Sequence, residues 1–400
     1  MGTQAQGHRW SRWAVLPLLT VVALAGCASA SGNTKPGQAQ SKTAQSTPAP
    51  SKPAQAKARA GAVSVSWAAV GAGWSLAEYS GSTAGGVTPR KAGATLVYLV
   101  GPQGYRDALY EWPAGQTAWT LLDWSGDKTR ALFVGPTPDA VGQLVLATGK
   151  FTSFKLPSGT QAIGYSRPDG TAILATQQVM STDRVLRYDL TGHLEQTLAS
   201  RPANSASDAV YSPDGTSLAV NGAKALEQVG NDGHVVRSLP VPGNPTCSPV
   251  RWWNAGTILA SCWAPGHPAS RLWLVPVSGA RPTALTPQRS SSGPDLGDIN
   301  AWSLPSGLYL QATGACGVIY IAKPTSTGAA ATVNVPGTTG NDNQIVTAVG
   351  PRLLVRAQTS CEAGASLLWF NPATHAVQML MRAPAGTPGV IADVPYGHGS

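Results

Sequence analysis

An all-β ring of four-stranded sheets, a β-propeller, is the fold class this sequence predicts, on three observations. A turn element rich in serine, proline, aspartate and glycine recurs behind an aromatic or apolar anchor. The anchors fall at 67, 124, 165, 211, 252, 302 and 349, so that most steps span 41 to 50 residues. The composition, 45 glycines and 32 prolines with only 12% charged residues, favours short strands joined by tight turns over long helices. A repeat of about 40–50 residues with four short strands per unit is the signature of a propeller. Seven anchors predict seven blades, and the faintness of the outer copies leaves six or eight open.

The chain begins with a different kind of segment. Arg9 and Arg12 precede an apolar run from Trp13 to Ala25 that is too short to span a bilayer as a permanent helix. The flanks are those of a cleaved signal peptide. Leu24-Ala25-Gly26-Cys27 resembles the bacterial lipobox, which implies cleavage before Cys27 and a diacylglycerol on that cysteine. Residues 1–26 are therefore read as a lipoprotein signal peptide, and residues 27–62 as the lipidated cysteine with its linker. Residues 28–61 contain no aromatic and no large aliphatic side chain, so they bury too little to offset ordering entropy and are expected to be a disordered tether. The expected location is the outer leaflet of the cytoplasmic membrane, on the extracytoplasmic side.

Charge excludes one class of partner. The net charge is +9, yet residues 1–62 carry seven basic groups and no acidic one. Of the 28 basic and 19 acidic residues, 21 and 19 remain in 63–400, a formal +2. A nearly neutral body carries no nucleic-acid footprint. The basic excess lies beside the membrane, where anionic headgroups attract it.

The repeat occupies residues 63–400. Tyr211-Ser212-Pro213-Asp214-Gly215-Thr216 is its clearest copy, and Tyr165-Ser166-Arg167-Pro168-Asp169-Gly170-Thr171 adds one residue. Trp124-Ser125-Gly126-Asp127 and Trp252-Trp253-Asn254-Ala255-Gly256 are further copies, with weaker echoes at Trp302 and Val349 and a first one expected at Trp67–Leu76. Proline presets φ, aspartate bonds the backbone two residues on, and glycine takes the position with φ above zero, which together make a hairpin turn. At this turn the chain resembles the TolB-like and WD-type β-propellers, although the Gly-His and Trp-Asp dipeptides of true WD repeats are absent. The combination of lipobox, tether and propeller resembles TolB-like lipoproteins of actinobacteria.

Five cysteines are an odd number, which lipid on Cys27 accounts for. Cys247 and Cys262 lie symmetrically about Asn254-Ala255, so a regular hairpin opposes them within disulfide range. Cys316 and Cys361 follow the second strand of consecutive repeats, and a bond between them is the preferred one of three pairings. No Cys-x-x-Cys or clustered histidine supports a metal site instead.

No catalytic signature is present: no Gly-x-Ser-x-Gly, no phosphate loop, no His-Glu-x-x-His and no dinucleotide fingerprint. Asp295 and Asp298, in a Ser/Gly/Pro-rich stretch read as a loop, are the weak candidates for calcium. Otherwise no cofactor is expected. Trp263 and His267, in Cys-Trp-Ala-Pro-Gly-His-Pro, are the ligand-face candidates, because loops after the second and fourth strands open on one face of a propeller. These features predict a monomeric, membrane-anchored, non-enzymatic module for a cell-envelope protein or glycan. An exported propeller enzyme acting on cell-wall glycan is the alternative.

Overall fold

A computed structural model describes residues 66–81, 94–112, 119–180, 182–202, 208–222, 224–267, 269–289, 295–314, 318–325, 330–340, 342–359 and 364–397. The expected signal peptide, Cys27, the expected linker, and Cys316 and Cys361 lie outside these residues. Among the described residues the fold is all-β: 28 strands and a single 3-10 turn at Trp67–Ala69. Five four-stranded sheets cover residues 120–155, 160–202, 209–239, 246–284 and 295–332, each a consecutive antiparallel meander. A sixth, eight-stranded sheet combines the meander 344–381 with a second group of four strands. One parallel pair, Ala365 with Gly389, joins those two halves.

That second group holds the ends of the domain together. The last strand, Gly389–Pro395, pairs antiparallel with the first, Ser75–Ser80, with Leu76 opposite Val394 and Ala77 opposite Asp393. Thr95–Val100 and Arg106–Trp112 complete it. Counting the halves of the large sheet separately gives seven four-stranded groups. Seven apolar clusters lie one between each neighbouring pair, and the cluster of Tyr98, Leu354 and Trp369 joins the 344–381 group to the closing group. Each sheet is thus buried on both faces, which is why its strands read as continuous apolar runs. In Ser217–Asn221, Leu218 and Val220 face one neighbour while Ala219 faces the other.

The recurring turn has more to it than proline, aspartate and glycine. Ser212 Oγ lies 2.6 Å from Asp214 Oδ1 and 3.0 Å from the Ser217 carbonyl, and accepts the Ser217 amide at 3.0 Å. Ser125 repeats this arrangement with Asp127 and Arg130. The serine hydroxyl therefore clamps both ends of the hairpin. Gly215, at φ 70°, also permits contact between turns: a Cβ there would stand 1.8 Å from the Arg167 carbonyl oxygen. Gly126 is equally tight against Pro168 O, at 1.7 Å.

Trp67 is not a hairpin anchor, contrary to expectation, because the inner strand of that group comes from the other end of the chain. Tyr396 takes the place. Its ring packs on Trp124 at 5.4 Å, its hydroxyl donates to Gly126 O at 3.2 Å, and its amide donates to Trp74 O at 2.8 Å.

A second periodic feature rivets the groups to one another. Glu78, Ser261, Gln311 and Arg356 sit on the second strands of their groups and bond the backbone of the next group's first strand or its approach. Glu78 accepts the Leu121 amide at 2.8 Å, and Gln311 accepts the Ile345 amide at 2.6 Å while donating to Asn343 O at 3.0 Å. Ser261 donates to Asp298 O at 3.2 Å and Arg356 to Ile391 O at 3.0 Å. Buried backbone groups at a sheet edge need such partners.

Candidate functional site

The larger of two described clefts opens between the 209–239 and 246–284 groups, at the end where the inner strands begin. It encloses about 380 Å³ and is lined by Gly222, Lys224, Ala225, Asn244, Pro245, Thr246 and Cys247. Two tight turns shape it. Gly222 N donates to Ala225 O at 2.7 Å, and Asn244 N donates to Val241 O at 3.2 Å. The second turn requires two successive residues in left-handed conformation, Gly243 at φ 85° and Asn244 at φ 48°, which glycine and asparagine tolerate best. The cleft thus offers an ammonium, a carboxamide and a hydroxyl.

The Cys247–Cys262 disulfide forms one side of this cleft, with S–S 2.11 Å and Cα atoms 4.0 Å apart. The opposition does not arise as the symmetry argument supposed. The tight turn is Ala255-Gly256, with Asn254 opposite Thr257, and two register shifts in Thr246–Asn254 bring Cys247 back opposite Cys262. One residue further, Thr246 stands opposite Trp263. Directly opposed residues share a face of the sheet, so the half-buried Trp263 stands on the Thr246 side of the hairpin. His267 lies exposed on the turn closed by its amide to Ala264 O, 3.1 Å.

Asp295 and Asp298 are not loop residues. They belong to the strand Asp295–Leu304, whose start is pinned to Ser270: Ser270 N donates to Leu296 O at 3.0 Å, and Ser270 Oγ to Asp298 O at 2.8 Å. Gly297 makes this possible, since a Cβ there would stand 2.3 Å from Ser270 O. Asp298 is fully buried and its carboxylate is ion-paired with Arg289, so the guanidinium already occupies the place a cation would take. The side chain of Asp295 is outside the description. Among the described residues no group of three or more His, Cys, Asp or Glu side chains could hold a metal ion.

Two other buried carboxylates, Asp123 and Asp393, are ion-paired as well. Asp123 meets Arg167 at 2.9 Å, and Asp393 lies 3.4 Å from Arg356, with burial pushing the Asp393 carboxyl up and the guanidinium opposing that shift. The second cleft, about 300 Å³ at the opposite end between the 160–202 and 209–239 groups, is lined by Arg167, Arg187, Glu195, Tyr211 and Asn231. Sequence reasoning missed it because its residues come from separate turns and outer strands. Its arginines serve the fold: Arg167 holds Asp123, and Arg187 holds Glu195 at 3.0 Å.

No protein-family model and no curated protein matches the chain. Similar solved structures include a prolyl endopeptidase, with TM-score 0.53 and 12% identity, over 77% of this chain and 50% of that one. A puromycin-hydrolyzing peptidase of Mycobacterium tuberculosis matches with TM-score 0.48 and 17% identity, over 72% and 49%. An oligogalacturonate lyase from Vibrio parahaemolyticus matches with TM-score 0.43 and 13% identity, over 66% and 80%. The chain spans about half the length of the two peptidases. At such identities the likeness concerns the fold alone, and that fold is the β-propeller.

Proposed function

We propose that this chain is a lipid-anchored, extracytoplasmic propeller that binds a cell-envelope glycan without transforming it, at the cleft of Lys224, Asn244 and Thr246. The observation that carries the reading is the pairing of the buried carboxylates Asp123, Asp298 and Asp393 with Arg167, Arg289 and Arg356. Acid–base chemistry on a glycan needs two carboxyl groups positioned on the reacting bond, whereas these are held by guanidinium groups within the fold. The cleft itself offers what sugar binding uses to fix orientation: an ammonium, a carboxamide and a hydroxyl. The lipobox supplies the address and residues 28–61 the reach.

The enzymes among the structural neighbours make an exported enzyme acting on cell-wall glycan the rival reading. Co-sedimentation of the protein with purified insoluble cell wall, with assay of the supernatant for released sugar, separates the two. Binding without release is expected, weakened about tenfold or more by Lys224→Ala. Steady release of soluble fragments replaces this reading with the enzymatic one. Absence of binding to wall material leaves a protein partner in its place.

A further inference from the structure

The seam that closes the ring, between Ser75–Ser80 and Gly389–Pro395, contains a buried acid without a cation. Glu78 is fully buried. Its strand partners are Val97 and Ala392, which belong to the apolar cluster of Leu76, Leu121 and Val394. One carboxyl oxygen accepts the Leu121 amide at 2.8 Å; the other, Oε1, makes no hydrogen bond. Leu121 lies on the first strand of the adjoining group, so Glu78 touches three elements that meet only when the ring is shut.

The charged and titratable groups on the surrounding elements, Tyr110 excepted, face elsewhere. On the closing strand, Asp393 is opposite Ala77, on the other face of the sheet, with Arg356 beside it. On the adjoining inner strand, Asp123 is committed to Arg167 and to the Tyr165 amide at 2.7 Å. On its own strand, Tyr79 points away and donates to Arg382 O at 2.9 Å. Tyr98, next to Val97, packs on the opposite face with Leu354. On the outer strand of the same group, Tyr110 packs against the Glu78 side, and Arg106, Asp107 and Glu111 are only partly buried.

We propose that shutting the ring takes up one proton, held by Glu78, so that the seam is tighter in mildly acidic surroundings than in alkaline ones. Burial raises the carboxyl of Glu78 from 4.5 to about 8, and the Leu121 amide only partly opposes that shift. Opening the seam returns the group to water and to its ordinary value. The sign follows from linkage: the closed state binds the extra proton between those two values, so raising pH favours opening across that range and has no further effect above it. One proton corresponds to an opening constant that rises about tenfold per pH unit.

The test is native-state hydrogen exchange of the amides in 75–80 and 389–395 between pH 5.5 and 9, corrected for intrinsic exchange, on wild type and Glu78→Gln. Glutamine can still accept the Leu121 amide but cannot titrate. The wild type is expected to open about tenfold more per unit up to about pH 8, and Glu78→Gln to lose that dependence. Equal slopes in the two proteins overturn the proposal. Should Glu78→Gln not fold, infrared spectra of the wild type decide: a buried protonated carboxyl band at pH 7 that vanishes by pH 9 is expected, and its absence at pH 7 overturns the proposal.

Discussion

Asp123 and Arg167 connect two sheets through a carboxylate that serves three partners. Arg167 donates to Asp123 Oδ1 at 2.9 Å, the Trp124 amide donates to the same oxygen at 2.8 Å, and the Tyr165 amide donates to Oδ2 at 2.7 Å. The side chains are 5% and 10% exposed. Removing one partner of such a pair strands the other, at a cost of about 3–5 kcal/mol. Asp123→Ala is expected to lose about that much in urea denaturation, because two amides and a guanidinium lose their acceptor. Arg167→Met is expected to lose less, since Asp123 keeps both amides. The reverse order would show that the guanidinium, not the carboxylate, organises the contact.

Gly215 and Gly243 separate two reasons for glycine. Both have positive φ, 70° and 85°, but a Cβ on Gly215 collides with the Arg167 carbonyl, whereas a Cβ on Gly243 meets nothing within 4 Å. Gly243→Ala is expected to cost about 1 kcal/mol, the conformational part alone. Gly215→Ala adds the steric part and is expected to cost roughly 3 kcal/mol or more. Thermal unfolding of the two variants checks the difference, and equal costs would mean that the turns move apart freely.

The Cys247–Cys262 link closes a short loop between two buried thiol positions. Replacing both cysteines with alanine is expected to cost about 3 kcal/mol, the chain-entropy value for a loop of this size. Reductant should lower the wild-type unfolding temperature by a comparable amount and leave the double variant unaffected. A non-reducing peptide map reports this link and tests the expected Cys316–Cys361 one.

Acid sensitivity should include a contribution from the turns. The Ser212 hydroxyl, with the Thr216 amide and hydroxyl, holds the Asp214 carboxyl below its ordinary value of 3.8. A lowered value stabilises the fold above that pH, and the contribution disappears as pH falls through the folded-state value. Unfolding curves of wild type and Asp214→Asn should therefore differ near neutrality and converge in strong acid. A gap that persists undiminished at low pH would show that ionisation is irrelevant to the turn.

Cys27→Ala tests the anchor. The wild type is expected to incorporate labelled fatty acid and to fractionate with membranes, and the variant to do neither. Lipid labelling that survives the substitution would remove Cys27 from its assigned role.

How much of this was legible in the chain depended on how local the cause was. The hairpin turns at 165 and 211 were legible because proline, aspartate and glycine act within a few residues, and the one at 252 because asparagine and glycine do. The two-sided burial of the strands was legible in their continuous apolar runs. Tyr396 as the missing anchor was not, because its partners Trp74 and Trp124 are hundreds of residues away along the chain. The loop assignment of Asp295 and Asp298 failed for the same reason: Arg289 and Ser270 approach from another turn and convert an apparent acidic loop into a pinned strand.

By itself, then, the sequence determined the repeat and the all-β class, because turn chemistry and alternation are short-range, whereas Cys247 comes opposite Cys262 only through two register shifts in the strand. It also carries the expectation of a lipidated Cys27. Only the tertiary structure decided which strands close the ring, how Glu78, Ser261, Gln311 and Arg356 fasten one group to the next, and where the cleft of Lys224, Asn244 and Thr246 opens. Those features depend on distances between segments remote in sequence, and they are fixed when each sheet buries both faces against its neighbours.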